Sequence, residues 1–149
     1  MIVACTRADD PRWLALRRQL FPHHADDVLL AEMARFCADP RRHGQFLRLA
    51  ADGTPLGFIE LALRTDYVNG TRSTPVAFLE AILVAPDARR QGIARALVAH
   101  AQAWARERGC REFASDAHAD NTASHAMHRA LGFEETQRVV FFRKDIAAD

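Results

Sequence analysis

Val76-Ala77-Phe78-Leu79-Glu80-Ala81-Ile82-Leu83-Val84-Ala85-Pro86-Asp87-Ala88-Arg89-Arg90-Gln91-Gly92-Ile93-Ala94-Arg95 is the stretch whose reading decides the fold. It begins as a near-continuous apolar run, which fits a strand buried on both faces. Pro86 ends that strand. A short basic loop containing Gly92 follows. Ile93, Leu97, Ala101 and Trp104 then recur at helical spacing, with Ala94, Val98 and Ala105 beside them, so the loop opens a long amphipathic helix. The first-turn amides of a helix have no internal partner, and the macrodipole leaves that end partly positive. Gly92 removes a side chain where a ligand would approach, and Arg89, Arg90 and Arg95 add charge. The expectation is an anion cradle suited to phosphate. The plainer alternative is a strand–loop–helix corner with solvated arginines.

The rest of the composition bounds the possibilities. A chain of 149 residues fits one domain, 1–149, with room for a real core. Apolar content of 49% and charged content of 26% are those of a soluble globular protein. A net charge of +1 supplies no global field to recruit nucleic acid or membrane. Cys5, Cys37 and Cys110 are odd in number and far apart, which suggests a reducing compartment rather than a disulfide framework. No signal peptide pattern opens the chain, and no apolar run reaches membrane length. The cytoplasm is the expected location.

Outward from the organising stretch, Ile2 to Cys5 is a short strand candidate. Asp10 before Pro11 caps a helix with the face Trp13, Leu16 and Leu20, ended by Phe21-Pro22. Asp26 or Asp27 caps a second helix with the stripe Leu29, Met33, Phe36 and Cys37, ended by Asp39-Pro40. Gln45–Ala51 and Leu56–Leu63 are strands joined by an Asp52-Gly53 turn. Thr65–Pro75 is a polar loop. Gly109 stops the long helix, and Cys110–Ser115 is a short strand. Asp120-Asn121-Thr122 starts a further helix with Ala123, Ala126, Met127 and Ala130 inward, and Val139–Phe142 is a final strand. The order is β-α-α-β-β-β-α-β-α-β, an α/β (α+β) arrangement with a mixed, mostly antiparallel sheet flanked by helices.

Arg89-Arg90-Gln91-Gly92-Ile93-Ala94, in its strand–Pro–loop–helix setting, resembles the Arg/Gln-x-x-Gly-x-Gly/Ala loop of the Gcn5-related N-acetyltransferases (GNAT fold), which holds the pyrophosphate of acetyl-CoA. Asn121 to Phe133 is similar to that family's Asn-x-x-Ala-x-x-Leu-Tyr-x-x-x-Gly-Phe helix, with His128 where the family often has a tyrosine that can protonate the departing thiolate. The resemblance implies that the strands near Val84 and Ser115 splay and admit the pantetheine. Asp66-Tyr67-Val68-Asn69-Gly70, Phe78-Leu79-Glu80, Cys110 to Asp116 and Ala130 to Thr136 together resemble the aminoglycoside 6′-N-acetyltransferases, which acetylate the 6′-amine of kanamycin-type antibiotics.

By that resemblance, substrate contacts fall to Phe21, Tyr67, Glu80, Asp116 and Gln137. The Phe21 position is often tryptophan in relatives, and Phe21 loses the indole donor; Gln137 lacks the charge of a glutamate. Acetyl-CoA contacts fall to Ile82, Leu83 and Val84, to Arg90, Gln91, Gly92, Ile93, Ala94 and Arg95, and to Asn121. No metal is expected. Members of this type are often homodimers, and Phe141-Phe142 lies in a strand that suits an interface.

A polycationic substrate demands an acidic site rich in hydrogen-bond partners. Its amine must lose a proton before attacking the thioester, and a carboxylate, directly or through water, can take it. Glu80 and Asp116 are the candidates: Asp116 to orient the amine, Glu80 to remove the proton, and a backbone N–H near Leu83 to hold the developing oxyanion.

Simpler readings stand beside these. Glu80 is alternatively a solvent-facing strand residue, though a carboxylate within a buried strand is costly without a partner. Asp116 is alternatively a turn residue, Asn121 a helix cap, and Phe21 simple packing. His125 and His128 at i, i+3 suit a metal bridge, but no third ligand is evident. Cys110 beside the pantetheine strand is alternatively a thioester shuttle. The rival activities are acetylation of another small amine, a polyamine or a protein N-terminus, and CoA binding without turnover.

Overall fold

The computed structural model describes residues 1–149 and divides into two compact units, Met1–Asp116 and Ala117–Asp149. The first unit contains β1 (Ile2–Ala4), α1 (Pro11–Leu20), α2 (Asp26–Ala38), β2 (His43–Leu49), β3 (Pro55–Arg64), β4 (Val76–Val84), α3 (Ile93–Glu107) and β5 (Phe113–Ala114). One sheet runs β1-β2-β3-β4-β5. The first four strands are antiparallel neighbours, and β5 joins β4 in parallel across α3. The mixed, mostly antiparallel sheet expected from the sequence is the one observed.

Local chemistry explains the helix ends. The Asp10 carboxylate accepts from the Arg12 N–H at 2.9 Å, with Pro11 at the first helical position, so α1 starts where the sequence places it. α2 differs from expectation. Its cap is Ala25, which makes no side-chain cap bond, and Asp26 and Asp27 lie inside the first turn. There they complement the helix dipole instead of satisfying a cap. Gly109 follows α3 at φ 80°, the left-handed conformation expected of a stop residue.

The strand period of two sorts the sheet into two faces. Cys5, Leu47, Leu49, Phe58 and Ala81 pack with Trp13 and Leu16 of α1 and Met33 and Phe36 of α2. On the other face, Phe46 meets His100 of α3 edge to face, a side chain on Gly44 would strike Trp104 of α3, and one on Gly57 would strike the Leu83 carbonyl of β4 and crowd Ile93 of α3. Ile93, Leu97, Val98, Ala101, Trp104 and Ala105 of α3 are all buried. The stripe read from the sequence is therefore the one that seats α3 on the sheet.

The second unit holds one helix, α4 (Thr122–Ala130), capped by Asn121 through a 3.1 Å bond from the Ser124 N–H. Two expectations fail there. Ala123, Ala126 and Ala130 are exposed, and the half-buried positions are Ser124, His125, Met127 and His128. Alanine spacing alone does not fix a helix face when larger side chains compete for cover. Val139–Phe142 forms no strand, and these residues are exposed. A strand exists only through a ladder, and this segment has no ladder partner within the chain.

Candidate active site

The pairing of β4 with β5 is short. The strands meet only at Ala77↔Phe113 and Phe78↔Ala114. β4 runs on to Val84, so from Leu79 onward its outer edge has no neighbouring strand. This is the divergence expected near Val84 and Ser115. Ile82, Leu83 and Val84 lie half-buried on the open stretch.

Glu80 stands where the strands part. The β3–β4 ladder steps from Glu60↔Ala81 to Leu61↔Leu79, so Glu80 is the additional residue of a β-bulge. A bulge re-aims a side chain without ending the strand. Glu80 is the one exposed residue in a strand otherwise buried or half-buried. Its Oε1 lies 3.7 Å from Nη2 of Arg64. Burial pushes the Glu80 carboxyl above the ordinary range; Arg64 opposes that shift, and the Asp116 carboxylate reinforces it. Glu80 and Asp116 are therefore within electrostatic reach of each other, as their proposed pairing requires.

At the far end of β4, Pro86–Ala88 forms a short 3₁₀ turn and Gly92 opens α3 at φ 76°. The first α3 bond runs from the Ala96 N–H to the Gly92 carbonyl at 3.0 Å. The N–H groups of Ile93, Ala94 and Arg95 have no acceptor within the chain, as the start of a helix dictates. A Cβ built on Gly92 would meet nothing within 4 Å, so the space above the turn is open. Arg90 is itself held at φ 62°, a conformation that costs a non-glycine residue about 1 kcal/mol or more. Gln91 and the exposed Arg89, Arg90 and Arg95 surround the turn. These residues fit a diphosphate: unpaired donors and a helix dipole meet at one open turn flanked by arginines, of which Arg89 donates from Nε to the Val84 carbonyl at 3.2 Å.

The other substrate candidates are dispersed. Tyr67 is 73% exposed on the β3–β4 loop. With Asp66, Thr65 and residues 71–74 it lines an open hollow of about 350 Å³. Glu112 anchors that loop by accepting from the Arg72 N–H at 2.8 Å and the Ser73 hydroxyl at 2.5 Å. Phe21 follows α1, half-buried, stacked on His24 and covered by the Arg17 guanidinium at 5.2 Å. Asn121, the cap of α4, and the exposed Gln137 belong to the second unit.

In that unit Nδ1 of His128 bonds the Ser124 carbonyl at 2.7 Å, and Nε2 of His125 bonds the His118 carbonyl at 2.9 Å. Backbone contacts thus occupy one nitrogen of each ring. No three His, Cys, Asp or Glu residues are grouped to hold a metal ion. Burial pushes the Cys110 thiol above its ordinary value, which disfavours the thiolate that a thioester shuttle would need.

Three features escape a reading of the sequence. The bulge at Glu80 leaves no mark in an apolar run. Arg64, which meets Glu80, looks like an ordinary strand-end cation. Arg17 and Glu60, buried together under α1, occupy positions whose charge suggests solvent. Only the placement of Arg17 one residue after Leu16, on the buried face of α1, hinted at its burial.

Comparison with known proteins agrees with this geometry. Residues 10–133 match the acetyltransferase (GNAT) family. An aminoglycoside N(6′)-acetyltransferase type 1 from Serratia marcescens is 49% identical over 146 residues, covering 98% of this chain and 99% of that protein. One from Acinetobacter baumannii is 50% identical over 134 residues, 90% of each chain. Among solved structures, the aminoglycoside antibiotic 6′-N-acetyltransferase AAC(6′)-Ih from Acinetobacter baumannii superposes with a TM-score of 0.92 at 46% identity, covering 99% of both chains. AAC(6′)-Iy in complex with the bisubstrate analog CoA-S-monomethyl-acetylneamine superposes with a TM-score of 0.90 at 43% identity, covering 98% of both. With its cradle, its diverging strands and this similarity over nearly its whole length, the chain belongs to the acetyltransferase (GNAT) family.

Proposed function

We propose that this chain transfers the acetyl group of acetyl-CoA to the 6′-amine of kanamycin-type aminoglycosides, which removes a cationic contact and confers resistance. The observation that carries this reading is the open edge of β4, with Glu80 turned out where β5 departs and the anion cradle at its far end. Near-full-length identity of 49% to an aminoglycoside N(6′)-acetyltransferase supports the choice of acceptor.

Each residue then has a role. Arg90, Gln91, Gly92, Ile93, Ala94 and Arg95 hold the diphosphate of acetyl-CoA, which supplies the activated acetyl thioester. Ile82 and Val84 turn backbone groups to the unpaired edge, where the Val84 carbonyl already accepts from Arg89 Nε at 3.2 Å; Leu83, whose backbone pairs with β3, lies between them, and Asn121 adds a further contact. Asp116 orients the incoming ammonium. Glu80 takes its proton, directly or through water; a carboxyl raised by burial is a stronger base than a solvated one. The amine attacks the thioester carbonyl, and a backbone N–H beside Leu83 on the open edge, at Ile82 or Val84, stabilises the charge that develops on oxygen; the Leu83 N–H itself is turned into the β3 ladder, as the Ala85–Leu56 bond and the register require. Collapse of the adduct then breaks the C–S bond, and CoA leaves as a thiolate that takes up a proton from water. Phe21, Tyr67 and Gln137 contact the sugar rings. Residues 1–149 act as one acetyltransferase domain in the cytoplasm. The chain works as a homodimer, in keeping with the exposed apolar run Val139–Phe142.

Release of CoA thiol, measured with acetyl-CoA and a panel of aminoglycosides, tests the reading. Kanamycin and tobramycin should give product acetylated at the 6′-amine by mass spectrometry and NMR. Turnover that persists with a 6′-hydroxyl analogue, or none with any 6′-amine, would overturn it.

A further inference from the structure

The bulge that turns Glu80 outward also brings it to Arg64. Arg64 is the last residue of β3 and stands in register with Val76. Its guanidinium carbon lies 4.0 Å from the centroid of the Phe78 ring. Phe78 is one of the two β4 residues paired with β5, so the cation rests on an aromatic face at the point where the strands part. From there Nη2 reaches to 3.7 Å from Glu80 Oε1, with about a third of each side chain exposed. That distance is beyond a hydrogen bond. Arg64 is held by the ring and only loosely by the carboxylate.

The charges around Glu80 give this arrangement a consequence. Asp116, after β5, bears on Glu80 with the same sign. Arg64 on β3 is the leading cation, with Arg35 on α2 and Arg42 before β2 acting more weakly. A like charge nearby disfavours ionised Glu80, and an opposite charge nearby favours it. The cation that reaches Glu80 is Arg64, at 3.7 Å. A substrate ammonium arriving at the same carboxylate meets a guanidinium that can withdraw onto Phe78 without losing its main support.

We propose that Arg64 is a positioning and specificity residue: a built-in counter-cation that keeps Glu80 ionised before substrate arrives and yields the carboxylate to the substrate ammonium. The proposal rests on the acetyltransfer reading for its substrate, while the charge relation between Arg64 and Glu80 stands without it. Arg64 touches no reacting atom; it acts through Glu80.

The test uses Arg64→Gln and Arg64→Met, the latter keeping an apolar stem over Phe78, with Arg64→Lys as the charge-conserving control. Carboxyl-carbon NMR of the full-length protein, with Glu80→Gln to assign the signal, follows Glu80 without any substrate. Removing the charge should move the Glu80 titration upward by about half a pH unit or more, a roughly threefold change in proton affinity, whereas Arg64→Lys should stay close to wild type. In steady-state assays the acid limb of kcat/KM should move upward with it. Above that limb, where Glu80 is ionised in every variant, loss of the competing cation should lower KM for a polycationic aminoglycoside about threefold, with the effect on KM rather than kcat. A folded Arg64→Met protein with an unmoved Glu80 titration overturns the proposal, as does a KM that rises in both neutral variants. If no aminoglycoside is acetylated, the functional reading fails by itself, and the NMR titration still decides the role of Arg64.

Discussion

Arg17 donates from Nε to Oε1 of Glu60 at 2.8 Å, and both side chains are almost wholly buried. The same Oε1 accepts from Nε1 of Trp13 at 2.8 Å. Arg17 also reaches the Leu29 carbonyl at 3.1 Å and Glu32 at 2.7 Å. α1, α2 and β3 are thereby joined by one buried polar cluster. Glu60 pairs in register with Ala81, immediately beside the bulged Glu80. The cluster thus lies behind the part of β4 that presents the carboxylate.

A buried charge left without its partner is costly, so Arg17→Ala or Glu60→Ala should each lose about 3–5 kcal/mol in urea unfolding. The double change Arg17→Met with Glu60→Leu should lose clearly less than the sum of the single changes, because no orphaned charge remains. Additive losses would show that the two groups do not act as a pair.

Glu80→Ala and Asp116→Ala should each lower kcat/KM by about a hundredfold or more if the two carboxylates orient and deprotonate the amine. Binding of acetyl-CoA, read by calorimetry, should be unchanged, since neither residue lies at the Gly92 turn. Burial raises the Glu80 carboxyl above its ordinary value, and a general base works only when ionised. Activity should therefore be full above that raised value and fall as pH drops through it, with the acid limb higher than for a solvated glutamate. Glu80→Ala should abolish that limb. Wild-type rates in both variants would remove the two residues from the mechanism.

Gly92 separates backbone strain from ligand contact. A side chain at φ 76° is strained, yet a Cβ there would meet no protein atom. Gly92→Ala should then cost about 1 kcal/mol of stability from backbone conformation. Gly92→Val should cost more than Gly92→Ala, because β-branching resists positive φ, and should weaken acetyl-CoA binding at least about tenfold, because its branches enter the space assigned to the diphosphate. Equal acetyl-CoA affinity in wild type and Gly92→Val would move the cradle elsewhere.

How much of this was legible beforehand follows the range over which each signal acts. The Asp10 cap, the α3 stripe and the Gly92 turn are set by neighbours a few positions away, and the sequence displays them directly. The parting of β4 and β5 came from the family resemblance, since no local pattern says where a parallel ladder stops. The bulge at Glu80 depends on register against β3, and a single strand carries no record of its partner. Arg17 and Glu60 are hidden for the same reason: each is a buried charge satisfied by a residue more than forty positions away. The exposed alanines of α4 show the converse: small residues at helical spacing mark no packing face when Met127 and two histidines compete for cover.

The last segment offers the most exposed apolar surface. Val140, Phe141, Phe142 and Ile146 are 77%, 87%, 93% and 96% exposed. Consecutive apolar side chains of this size are costly to leave in water, and an extended segment with unused backbone donors and acceptors is a template for pairing with another strand. A second copy of the chain offers the same segment, so twofold pairing would satisfy both at once. Sedimentation at micromolar concentration should show a dimer for the wild type. Val140→Asp with Phe142→Asp should shift it to monomer, since placing like charges opposite one another opposes pairing while leaving the Met1–Asp116 unit folded. A wild-type protein that remains monomeric across that range would refute the dimer, and a charged variant that remains dimeric would place the interface outside this segment.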